Sequence, residues 1–269
     1  MSGNRLIPES LWQEYFYGKQ TYDQLSQKHN CSKRTIQRKL DLYTPQKEMI
    51  SPNKVIIVTD SIYWGRGFGV TVFKDVISGK TLKKYYIKSE TNDIYRKGIK
   101  ELQTQGFEVI AIVCDGRRGL LNSFTSIPVQ MCQFHQVAII RRYITKSPKM
   151  QASIELQGII NLLKQTDKES FEGALNEWYT KWEHFLKERT INPNTNKSTF
   201  THRRLRSAYK SLKSNLKWLF IWYDNIHLNI PNTTNSLEGQ FADLKNKMRN
   251  HNGLSQKRKV KLIDEFFKA

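Results

Sequence analysis

The chain is poor in three things, and each shortage excludes a class of protein. It holds only 3 cysteines in 269 residues. Cys31, Cys114 and Cys132 are odd in number and far apart, which excludes a disulfide-stapled scaffold and fits a reducing compartment. No apolar stretch approaches the roughly 20 residues of a spanning helix. The first ten residues, Met1 to Ser10, show neither an apolar signal core nor a cleavage pattern, so a cytoplasmic protein without a membrane partner is expected. Acidic residues are scarce as well, 24 against 44 basic ones, for a formal net charge of +20. That balance suits a polyanionic partner and favours nucleic acid over acidic metabolites, with a membrane surface as the competing polyanion. The length admits one large domain or a small one joined to a medium one.

The first fifty residues read as a separate all-α unit. Leu11, Trp12, Tyr15 and Phe16, then Tyr22 and Leu25, then Ile36, Leu40 and Leu42 mark three short helices. Thr21 and Ser32 are placed as N-caps, and Gly18 and Asn30 suit the breaks. The layout resembles a helix-turn-helix. Its recognition helix, from Ser32 to Leu40, turns Ile36 and Leu40 inward and leaves Lys33, Arg34, Thr35, Gln37 and Arg38 for a major groove of double-stranded DNA. The plainer reading is a basic amphipathic helix that is merely solvated or packs on the next domain.

A short polar stretch punctuated by Pro45 and Pro52 reads as a linker. Beyond it, strands are expected over 55–60, 67–76 and 81–88, a helix over 92–105 and a fourth strand over 107–114. A short helix over 120–124 and a fifth strand over 128–132 complete an α/β order of β-β-β-α-β-α-β. The glycines Gly65, Gly67 and Gly69 lack dinucleotide-fingerprint spacing and read as turn and strand glycines. From about residue 136 to 226 strand signals vanish, and charged, aromatic-studded helical stretches take over. Trp178 with Trp182, and Trp218 with Trp222, stand four apart and read as helix faces turned to the core rather than base-stacking platforms.

Three acids stand out against this background. Asp60 ends the apolar run from Val55 and Asp115 the run from Val109, each run rich in β-branched residues as in a strand buried on both faces. Glu238 lies in a stretch where Leu237, Phe241, Leu244 and Met248 recur at helical spacing. Singly, a strand-end Asp is a turn former and a helical Glu a surface group. Together, two strand-end acids and one helical acid could hold Mg²⁺ or Mn²⁺. These are hard cations that take oxygen ligands and, as a pair about 3.5–4 Å apart, serve both the nucleophile and the leaving oxygen.

Four segments now in hand resemble the catalytic domain of the DDE transposases, in particular the bacterial insertion-sequence enzymes related to plant Mutator elements. They are Thr59-Asp60; Cys114-Asp115-Gly116 with Gly119-Leu120; Gln130 to His135; and Thr234 to Gly239 running on to His251-Asn252-Gly253-Leu254-Ser255. The resemblance covers about Val55 to the end and implies an RNase H-like mixed sheet with an all-α insertion between the second Asp and the Glu. With the helix-turn-helix domain read above at 1–50, the resemblance makes 51–269 the catalytic domain, with the insertion at about 136–230. It makes Asp60, Asp115 and Glu238 the catalytic metal ligands, with two ions implied, and Cys132-x-x-His135 the family signature beside them. His135 is then a further catalytic residue, as a hydrogen-bond or proton partner near the scissile phosphate.

Read from the residues alone, a buried and satisfied histidine is the alternative for both His135 and His251. A Cys-x-x-His pair is also half of a zinc site, but no second pair stands nearby. The activity implied is insertion-sequence transposition: binding of terminal inverted repeats, then metal-dependent cleavage and transfer of DNA strands. The partners would be element ends and target DNA, held by at least a dimer in a bacterial, nucleoid-associated setting. A catalytically inactive repressor or domesticated derivative, and more weakly a plain nuclease, are the competing readings.

Overall fold

The computed structural model describes residues 6–251 and 253–269. Asn252, within the last of the four resembling segments, lies outside them. The N-terminal helices are α1 (Pro8–Trp12), continued by a π-helical turn (Gln13–Tyr17), α2 (Tyr22–Lys28) and α3 (Lys33–Leu42). Thr21 and Gln24 close a reciprocal capping box on α2, and the Ser32 hydroxyl caps α3 by accepting from the Thr35 amide. Asn30 takes the left-handed conformation its break requires, with φ of 46°. Ile36 and Leu40 are buried; Lys33, Arg34 and Arg38 are exposed, and Thr35 and Gln37 are half-buried.

Strands β1 (Lys54–Tyr63), β2 (Gly69–Asp75) and β3 (Thr81–Ile87) form an antiparallel meander. Helix α4 (Asn92–Thr104) returns the chain to β4 (Glu108–Cys114), and a 3₁₀ turn (Leu121–Ser123) leads to β5 (Val129–Met131). β4 pairs parallel to β1, and β5 parallel to β4, in the sheet order β3-β2-β1-β4-β5. This is the mixed sheet of an RNase H-like fold. The buried helical return in α4 is what makes parallel pairing reachable.

Then come α5 (Gln133–Ile144), α6 (Gln151–Leu162), α7 (Lys168–Lys187), a hairpin of β6 (Arg189–Ile191) and β7 (Ser198–Phe200), α8 (Arg203–Leu219) and α9 (Ile221–Asp224). A 3₁₀ turn (Ile226–Leu228) precedes α10 (Asn235–Arg249) and α11 (Gln256–Phe267). The insertion is therefore helical except for one small hairpin where no strand was expected. Its strands are three residues each and almost fully exposed, so they carry no apolar alternation to read. Besides the ladder itself and the hydrogen bonds from Arg189 to Ser198, the guanidinium groups of Arg189 and Arg206 lie 4.5 and 3.6 Å from the Phe200 ring. Trp178 is buried, and Trp182, Trp218 and Trp222 pack partly buried against the same core.

The two sheet faces carry two cores. Val55, Ile57 and Ile112 join α4, α5 and the insertion helices on one face. Ile56, Val58, Ile62 and Val113 join α10, α11 and the N-terminal helices on the other. The N-terminal unit is thus packed into the second core. Arg258 of α11 forms a bidentate pair with Asp41 at 3.0 and 2.8 Å, and the buried Glu265 carboxylate accepts from the hydroxyls of Tyr17 and Tyr43 at 2.8 Å each.

Candidate active site

The sheet's alternation sets the first two acids. Val58 pairs with Val113 in the parallel ladder, and both face the second core. Asp60 and Asp115 each follow by two residues, so the period of two turns both side chains to that face at neighbouring positions. Asp60 does not end its strand, as the apolar run predicts: β1 continues to Tyr63, paired with β2 through Ser61, Ile62 and Tyr63. Polar partners sustain the extension, for Ser61 Oγ lies 2.8 Å from Thr71 Oγ1 and 3.1 Å from Tyr95 Oη. Asp115 does sit just past its strand.

Helix α10 packs on the same face through Leu237, Phe241 and Leu244, and Glu238 stands half-buried in its first turn. The helix start is tied to the sheet by the Gln133 amide, which donates to the Asn232 carbonyl at 2.9 Å. The Thr234 amide and hydroxyl each approach Cys132 Sγ at 3.3 Å, and the same hydroxyl is 3.0 Å from Glu238 Oε1. Cys132, buried between β5 and α5, donates its amide to the Cys114 carbonyl at 2.8 Å, so it stands beside the end of β4.

His135, in the first turn of α5, is the common neighbour. Its Nδ1 is 3.9 Å from Glu238 Oε1. Its pKa is raised to about 9, foremost by the Cys132 sulfur beside it and further by the charges of Asp60 and Asp115, against the opposing pull of burial. Loss of water pushes the Asp60 carboxyl up to about 6; the Ser61 amide, which donates to Oδ1 at 2.7 Å, and His135 pull it down, while Asp115 and Glu90 push it further up. Burial works against ionisation of Cys132, yet His135 and the Thr234 donors hold its thiol below the ordinary value. A desolvated carboxylate beside another acid is a place where a divalent cation relieves both costs, and hard oxygen donors suit magnesium or manganese. Asp60 and Asp115 are donors of that kind, but they do not join Glu238 in one ligand cluster: among the described residues the group of three whose donor atoms lie within 4.8 Å of one another is Cys132, His135 and Glu238.

Glu90 and Arg117 escape a reading of the sequence, and Thr234 is named there only as part of a resembling segment, without a role. Glu90, between β3 and α4, adds a further carboxylate to the field at Asp60. Arg117 donates to the Glu90 carbonyl at 2.7 Å and to Asn92 at 2.9 Å, while its amide donates to Asp115 Oδ1 at 3.1 Å, clamping the loop after β4. Thr234 orients Glu238. A lone acid before a helix and a threonine near a helix start are ordinary signals, and only proximity gives them a role. The groove-reading set of Lys33, Arg34, Thr35, Gln37 and Arg38 stays on α3 in the N-terminal unit. His251 is buried against Tyr15, with ring centroids 3.9 Å apart, and so packs the N-terminal unit.

The chain belongs to the Mutator family of transposases, whose family model matches residues 74–218, more than half of it. Asp115, Cys132 and His135 fall inside the matched segment; Asp60 and Glu238 fall outside. Solved structures that overlap it include the HTLV-2 integrase catalytic core domain in complex with magnesium. In its trimeric form the match is 15% identical, covering 56% of this chain and 96% of that one, with a TM-score of 0.26. In its dimeric form it is 12% identical, covering 59% and 98%, with a TM-score of 0.25. A chain of the simian T-cell lymphotropic virus intasome in complex with PP2A regulatory subunit B56 gamma matches at 12% identity over 76% of this chain and 68% of that one, TM-score 0.25. No curated protein sequence matches significantly. Among the described residues no helix is long and apolar enough to cross a membrane.

Proposed function

We propose that this chain is an insertion-sequence transposase that binds the inverted repeats ending its element through the N-terminal helices and cleaves and joins DNA strands at Asp60, Asp115 and Glu238. What supports the reading is the shared sheet face: Asp60 and Asp115 each stand two residues beyond the paired Val58 and Val113, Glu238 is in the first turn of the helix packed on that face, and His135 lies 3.9 Å from Glu238. Asp60, Asp115 and Glu238 would hold the divalent ions. When bound there, magnesium or manganese supplies the charge that activates a water or DNA 3′-hydroxyl and stabilises the leaving oxygen. The protein's own groups do the rest. Arg117 fixes the Asp115 loop, Thr234 orients Glu238, and the His135 cation meets the scissile phosphate as a hydrogen-bond donor. The exposed Lys33, Arg34 and Arg38 meet repeat DNA, and synapsis of two ends requires at least two copies of the chain.

Strand transfer with a labelled terminal-repeat duplex tests this. Asp60→Asn, Asp115→Asn and Glu238→Gln should each lower the magnesium-dependent rate by about a hundredfold or more, the scale on which one transition-state-stabilising group acts. Repeat binding without cleavage in any cation would instead identify a DNA-binding derivative that has lost catalysis. Cleavage without joining would identify a nuclease.

A further inference from the structure

Cys132 and His135 are half of a zinc-type ligand set, and the fold supplies what their spacing lacks. One donor atom from each of Cys132, His135 and Glu238 lies within 4.8 Å of the others, although Glu238 is about a hundred positions away in the chain. The His135 Nδ1 atom is buried and has no hydrogen-bond partner, and it faces Glu238 Oε1 at 3.9 Å. A buried ring nitrogen with no partner is a cost unless something occupies the space in front of it. Around a zinc-type ion, donors about 2.0–2.3 Å from the metal in a tetrahedron stand roughly 3.3–3.7 Å from one another. The observed separations thus need adjustments on the order of 1 Å.

We propose that Cys132 Sγ, His135 Nδ1 and Glu238 form a second metal site, for a zinc-type transition ion, abutting the all-oxygen site of Asp60 and Asp115. Thiolate and imidazole donors select zinc, cobalt or cadmium and are poor ligands for magnesium, so the two sites differ in the metal they take. Binding deprotonates the thiol, whose proton leaves to solvent. Thr234 serves as the outer-shell support: its amide and hydroxyl lie 3.3 Å from the sulfur and fix the direction of the lone pairs. Three protein ligands leave the fourth position open, as in catalytic rather than structural zinc sites. Glu238 belongs to both sites, and an ion held by Cys132 and His135 withdraws it from the other. Zinc-type metals therefore act on this chain as antagonists of the magnesium-dependent reaction, a property that neither set of ligands confers by itself.

Titration of the full chain, freed of metal by a chelator, with cobalt alone tests the site. A thiolate-to-cobalt charge-transfer band in the near ultraviolet should rise to one cobalt per chain and vanish on addition of zinc. It should be absent in Cys132→Ser, and Thr234→Val should weaken cobalt binding by about tenfold. Glu238→Gln, at a half-exposed position where folding is not at stake, should weaken it by about tenfold or more. Asp60→Asn and Asp115→Asn should leave the band unchanged while abolishing strand transfer, which separates this site from the reading of the acids as catalytic. No band in the wild-type chain, a band that survives Cys132→Ser, or one lost in Asp60→Asn would overturn the proposal.

Discussion

At Gly98 in α4, an added methyl group would lie 2.2 Å from Cζ of the fully buried Phe73 and 2.6 Å from two more ring carbons. Alanine there gains up to about 1 kcal/mol of helix propensity but forces ring or backbone to move, at about 1–3 kcal/mol. Gly98→Ala is therefore expected to lower the urea midpoint. Gly158→Ala, in α6 with nothing within 4 Å of the new atom, should raise it, for a gain in stability of about 0.5–1 kcal/mol. Equal signs for the two would show that the α4 approach to the sheet is looser than described. His251 carries a second prediction. Burial lowers its pKa from the ordinary 6.5 to about 4, so between those values the unfolded chain takes up a proton that the folded chain refuses. Its contribution is intact above about 6.5 and drains away as the pH falls toward 4, by at most about 3 kcal/mol. Melting temperatures at pH 7 and pH 4.5 should differ less in His251→Leu than in the wild type. At this scale Asp60 and Asp115 stand out in the sequence, because an acid closing a β-branched run breaks the pattern around it, whereas Glu238 stands out only through the segment that resembles a family. Glu90 and the role of Thr234 do not, since each sits where a capping or turn residue is ordinary.

Among the elements, α11 is the hinge pin between the N-terminal helices and the sheet. Glu265 is buried and accepts from Tyr17 and Tyr43 at once, so its removal leaves the buried Tyr43 hydroxyl without an acceptor. A stranded buried polar group costs about 1–3 kcal/mol. Glu265→Leu should accordingly raise amide hydrogen exchange over residues 8–43 while β1 and β4 stay protected, and Glu265→Gln, which keeps one acceptor, should show a smaller rise. Uniform acceleration across the sheet would mean that the unit does not open separately. The elements themselves were largely legible: period-two and period-3.6 patterns mark the five strands and the long helices, and hydroxyl N-caps mark α2 and α3. Two things were hidden for physical reasons. The three-residue hairpin strands of β6 and β7 bury nothing and so leave no pattern, and the run of β1 past Asp60 depends on hydroxyl pairs across strands rather than on apolar residues.

On the scale of the whole molecule, the placing of residues 60 and 115 toward one sheet face, with 238 on the helix packed against it, follows from topology. Parallel pairing of β1 with β4 aligns two acids, and the order of cores on the two faces decides which helix covers them. Neither is a local property, so sequence could name the participants but not their distances. Net charge is different, because it is summed along the chain and acts at long range regardless of fold. With a surplus of 20 positive charges, binding to DNA should be dominated by displaced counterions. Six neutralised phosphates would give a slope of about −5 for log affinity against log salt, and a loss of about a thousandfold between 50 and 200 mM. Asp60→Asn, held in magnesium so that the duplex stays intact, is the form in which to measure it. On terminal-repeat DNA, Arg34→Ala and Arg38→Ala should each cost about 1–3 kcal/mol if the side chain reads a base. On scrambled DNA the same substitutions should cost much less, since the rest of the basic surface still meets phosphate. Equal losses on both duplexes would make α3 one more electrostatic contact, and sequence reading would then have to reside elsewhere in the chain.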